Sequence, residues 1–184
     1  MAESAGQDNV QELFLANQLL TRVARHGSRE LDSFSGWMLG GFGAAFALLL
    51  ANIEQVSRLI RVENVRAGGL VFLVAILLGV MQKSLASVVA STSAAALEGE
   101  ALGFQAAAAG ADVDIQVLFR EFERATLFPF RWVVRRSLQK VVQGDLAAGG
   151  RMCVQMSQLQ GWVVSFESLL ALAAALILVY GLAV

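Results

Sequence analysis

Three apolar runs, residues 33–53, 67–90 and 161–184, constrain this chain more than any other feature. Each is about as long as the roughly 20 residues a helix needs to cross a bilayer. Charged residues are only 16% of the chain and apolar residues 57%, against about 25% charged in a soluble domain. A single Pro argues against a loop-rich fold. The expected fold class is an all-α integral membrane protein. It has three transmembrane helices plus amphipathic N-terminal and central cytoplasmic helices.

Cysteine and histidine counts remove several chemistries. Cys153 is alone, so neither an intramolecular disulfide nor a cysteine-based zinc cluster can form. His26 is alone, which excludes a two-histidine metal site within one chain and leaves one candidate base for a Ser-His-Asp triad. No nucleophile elbow, phosphate loop or dinucleotide fingerprint is present. The carboxylates Glu98, Glu100, Asp112, Asp114, Glu121 and Glu123 match neither a calcium loop nor a di-iron pattern. No catalytic residue, cofactor or metal is expected. The formal charge of −1 gives no overall pull toward nucleic acid.

The chain divides into four stretches. Residues 1–30 carry an amphipathic helix over 9–25, with His26 and Gly27 as its stop signal. Residues 31–109 hold the first two spans, joined by a charged loop over 54–66. The second span continues out of the membrane to about residue 108, because no breaker follows Gln82 and Lys83. Residues 110–150 hold two cytoplasmic amphipathic helices, divided near Pro129. Residues 151–184 hold the last span, entered past a flexible joint at Gly149 and Gly150. Trp37, Trp162 and Tyr180 suit aromatic belts at the membrane edges.

Small residues recur every fourth position on two helices. Gly36, Gly40 and Ala44 form one ridge of span one, beside Gly43, Ala47 and Ala51. Ser87, Ser91, Ala95, Gly99, Gly103 and Ala107 form a longer one. Lipid-bathed helices associate by close backbone approach, which small residues permit. After Pro129, Arg131, Arg135, Arg136 and Lys140 accompany an apolar stripe. That combination suits an anionic membrane surface or a partner helix.

Ionisable groups inside spans are candidates for function. The runs contain two, Lys83 and Glu167, at similar expected depths below one face, so an intramembrane ion pair is expected. Arg22, Arg25 and Arg29 precede span one, and the long central segment is basic, while the opposite loop has Arg58, Arg61 and Arg66. The positive-inside rule then places the N-terminus in the cytoplasm and the C-terminus in the periplasm of a bacterial inner membrane.

The functional expectation is a non-enzymatic small membrane protein that self-associates through small-residue helix faces, as an oligomeric scaffold or pore. The alternative is an accessory subunit of a larger membrane complex. The expected partners are the lipid bilayer and further copies or other membrane subunits, with no nucleic acid.

Overall fold

A computed structural model describes residues 2–58, 60–108, 117, 120, 121, 124, 131, 135, 136, 139–141 and 143–182. Of residues 2–10, 100, 102–104 and 106–108 it describes the backbone alone. The described chain is helical, without a strand. Helix α1 spans Ala2–Ala51, the single turn α2 Ile53–Val56, α3 Val62–Ala108 and α4 Ala148–Tyr180. The segments Gln11–Ala51, Val62–Gly99 and Ala148–Tyr180 are long and apolar enough to cross a membrane. Three such helices suggest a membrane location.

The expected stop at His26 and Gly27 is corrected: α1 runs through both. Glycine in a helix interior costs about 1 kcal/mol relative to alanine. It ends a helix most readily where it takes a left-handed conformation. Gly27 does not, since the one positive-φ glycine among the described residues is Gly144, at 95°. The loop over 54–66 is also shorter than expected, because α3 already begins at Val62.

The described residues fall into two units. The first takes 1–26 and 89–156. Ala24, Val89 and Cys153 form its core. Thr92 Oγ1 lies 3.6 Å from Cys153 Sγ. Gly149 and Gly150 are not a flexible joint but part of α4. Gly150 N–H donates to Asn17 Oδ1 at 2.6 Å, and a Cβ at Gly150 would lie 2.8 Å from Asn17 O. The missing side chain therefore serves close helix contact. The turn ahead of α4 holds Gly144 and an Asp145–Arg151 ion pair. The carboxylates Asp112, Asp114 and Glu123 and the Pro129 divide lie outside the described residues. Arg131, Arg135, Arg136 and Lys140 are helical and exposed.

The second unit takes 27–88 and 157–184, so α1, α3 and α4 all contribute. In α3 the buried positions Val65, Gly68, Phe72, Ala75, Gly79, Gln82 and Ala86 alternate in steps of three and four. In α4, Gln160, Val164, Glu167, Ala171 and Ala174 follow the same rule. This 3.5-residue repeat keeps one seam of a helix facing its neighbours. Near one end of the unit the seam is apolar. Phe46 and Phe72 stack with centroids 4.9 Å apart, against Ala75 and Ala174. Asn64 Nδ2 donates to Ile177 O at 3.0 Å, and Arg61 N–H to Gly181 O at 3.0 Å, joining the start of α3 to the end of α4.

Outside the seam, the large apolar side chains face outward. Leu48, Leu70, Leu73, Leu77, Leu169, Leu172 and Val179 are all exposed. The buried positions hold small and polar residues among the apolar ones. Such a distribution gains little in water but suits acyl chains outside and close backbone contact inside.

One position tests the seam. A Cβ at Gly68 would lie 3.1 Å from Ala174 O and 3.3 Å from Leu178 Cγ. Gly68→Leu should therefore lower stability by about 1–3 kcal/mol through overpacking. A Cβ at Gly41 would meet nothing within 4 Å. Gly41→Ala should be neutral or stabilising by up to about 1 kcal/mol. Thermal unfolding of both variants in one detergent checks the contrast.

Candidate functional site

The seam of the second unit changes character where α1 supplies Ser28, Asp32 and Ser35. These residues are spaced by four and three, so they share one helix face. Three levels of polar contact follow. At the first, Gln160 Nε2 donates to Ser28 O at 3.0 Å. At the second, Lys83 Nζ lies 2.8 Å from Asp32 Oδ2, and Gln82 Nε2 lies 3.4 Å from Asp32 Oδ1. At the third, Ser35 Oγ–H donates to Glu167 Oε1 at 2.7 Å.

Glu167 is the unusual member. Its accessibility is 0%, and Oε2 has no hydrogen-bond partner among the described residues. Gly79 makes room for it: a Cβ there would meet Glu167 Cδ at 3.6 Å and overlap Leu39 Cδ1. Leaving a buried carboxyl oxygen unpartnered is costly, because water no longer solvates it. Gln160 is likewise fully buried, with Oε1 unpartnered among the described residues.

The expected Lys83–Glu167 ion pair is corrected. Lys83 pairs with Asp32, and Glu167 takes its hydrogen bond from Ser35. The reason is rotation about α3. Gly79 and Gln82 lie on the buried seam, whereas Lys83, one residue on, points outward, its side chain 71% exposed. Asp32 escapes a reading of the apolar runs because it sits one residue ahead of the first. The face formed by Ser28, Asp32 and Ser35 is the available signal.

The small-residue ridges lie elsewhere than the internal seam. Gly36, Gly40 and Ala44 are exposed, and so are Ser87, Ser91, Ala95 and Gly99. The side-chain surroundings of Gly103 lie outside the described residues. An open groove of about 670 Å³ is lined by Asp32, Ser33, Gly36, Trp37, Gly40, Gly41 and Lys83. Trp37 and Trp162 are exposed, at 82% and 67%. Among the described residues no three His, Cys, Asp or Glu side chains gather in one place.

The revised pairing gives a measurable pattern. Lys83→Met and Asp32→Asn should be non-additive, with a coupling of about 1 kcal/mol, since the Lys83 side chain lies on the surface of the bundle. Lys83→Met and Glu167→Gln should instead add. Denaturant unfolding of the two double-mutant cycles in one detergent reads both. Compared with family models, curated proteins and solved structures, the chain matches none.

Proposed function

We propose that the chain is a non-enzymatic integral membrane protein that self-associates through small-residue helix faces, as an oligomeric scaffold or pore. The observation that carries this reading is the outer face of α1. Cβ atoms built at Gly36 and Gly40 would meet nothing within 4 Å. Among the described residues the helices pack on other positions, which supports a contact from outside on this smooth strip. In lipid, such a strip favours association by letting two backbones approach closely. The bulky exposed side chains of the same unit would meet acyl chains.

The proposed location is a bacterial inner membrane, with a cytoplasmic N-terminus and a periplasmic C-terminus. Arg22, Arg25 and Arg29 support that orientation through the positive-inside bias. A reporter fused after Val184 should read as periplasmic. One inserted at the Gly144 turn should read as cytoplasmic. The reverse result at both sites overturns the orientation.

Assembly is tested by mass determination in mild detergent. The expected species holds several copies of this one chain. Gly40→Leu and Ala44→Leu should shift it toward the single chain, because a large side chain holds the two backbones apart. Leu48→Ile, on the bulky exposed surface, should leave it unchanged. A particle containing this chain once among different polypeptides favours the accessory-subunit reading instead. A single chain at every concentration removes both.

A further inference from the structure

We propose that Glu167 is a proton-binding site inside the helix bundle, loaded from the side of the Asp32–Lys83 pair. The proposal rests on the contacts within one chain and does not require copies to meet. Glu167 is fully buried, and Ser35 Oγ–H at 2.7 Å is the one donor that reaches it among the described residues. An ionised carboxylate in that position would have one oxygen without a donor among the described residues. A proton bound at Oε2 removes the charge and leaves Oε1 to accept from Ser35. The step is an addition: the proton comes from solvent, joins an oxygen lone pair, and returns to solvent when the site empties.

The surroundings decide which side the proton uses. α1 carries no titratable side chain between Asp32 and Ala51, and α3 carries none but Lys83 between Arg66 and Glu98. α4 has none but Glu167 between Cys153 and Tyr180. The charged groups nearest the Glu167 contacts along these helices are therefore Asp32, three residues from Ser35, and Lys83, four from Gly79. Asp32 is 28% exposed and Lys83 71% exposed, so the polar end of the seam opens onto the surface of the bundle. Toward the other end lie Leu39, Phe42, Phe46, Phe72 and Leu170, an apolar stretch with no relay. Glu167 sits five residues past Trp162 and thirteen before Tyr180, about 7.5 Å and about 20 Å along the helix. The polar side is also the shorter route.

Dicyclohexylcarbodiimide tests this in the full chain, reconstituted in vesicles of phosphatidylethanolamine and phosphatidylglycerol. A protonated carboxyl adds across one C=N bond of this apolar reagent, so the adduct gains the whole reagent mass and nothing leaves. Peptide mass spectrometry should find the adduct on Glu167. Above the midpoint of the site, the protonated fraction, and with it labelling, should fall about tenfold per pH unit. Ser35→Ala keeps the carboxyl but removes the donor that favours its ionised form. In that variant labelling should persist to higher pH. Isotope-edited infrared spectra should show a protonated-carboxyl band that Glu167→Gln removes. Should that variant not fold, the Ser35→Ala shift still identifies the site. Labelling on Asp32 rather than Glu167, no labelling at any pH in folded protein, or labelling independent of pH overturns the proposal. Protection by sodium at constant pH does so too, since it makes the site a metal-cation site.

Discussion

Close backbone approach along a 3.5-residue seam is the constraint on which the second unit depends. Lipid chains are as apolar as leucine side chains, so burying leucine between helices in a membrane gains little. What holds helices together there is contact density, and glycine and alanine raise it by letting backbones meet. Gly68 against Ala174 and Leu178, and Gly79 against Leu39 and Glu167, are such contacts. Where the seam holds aromatic residues, at Phe46 and Phe72, small partners at Ala75 and Ala174 make the space. The alternation of small and large along one line lets three helices stay close together.

The same seam is polar at one end and apolar at the other, and the two ends do different work. Around Phe46 and Phe72 the contact is dispersion and shape. Around Ser28, Asp32 and Ser35 it is directional, because each polar group is matched to a named atom on another helix. Directional contacts fix the rotation and register of helices more tightly than apolar ones, since a shift by one residue strands several polar groups at once. The exception within this set is Glu167 Oε2, together with Gln160 Oε1. An otherwise well-matched layer with unpartnered carboxyl and amide oxygens is better explained by use than by stability. A Leu at position 167 would be cheaper to bury.

The three long helices are legible from the length and apolarity of their runs, and so is the continuation of α3 to Ala108. The helix through Gly27 is not, because a glycine reads as a stop until its backbone conformation is known. The seam is hidden for a related reason. Small residues at a fixed step of four drift around a helix of 3.6 residues per turn. The buried line alternates three and four and passes through Phe72, Gln82 and Val89 as readily as through glycine. Size alone therefore does not mark it. Equal depth alone does not make a Lys83–Glu167 pair either. Two groups at one depth meet only if their helix faces meet, and Lys83 and Gln82 point to different sides although adjacent.

Ser35 and Gly36, consecutive residues about 100° apart around α1, bring the proposed assembly face next to the buried acid. Ser35 faces inward to Glu167, while Gly36 lies in the outer groove with Gly40, Asp32 and Lys83. Anything seated in that groove touches the Asp32–Lys83 pair, the side from which the buried carboxyl is proposed to load. If assembly on the groove changes proton affinity at Glu167, protonation must change assembly by the same factor, because the two equilibria share one chain. Such a coupling would run through the section of α1 between Asp32 and Gly40, which carries residues of both sites. A scaffold with no such layer would assemble equally at any pH. Here the proposed assembly face and the buried acid border one short section of α1, so occupation of either one would touch the surroundings of the other.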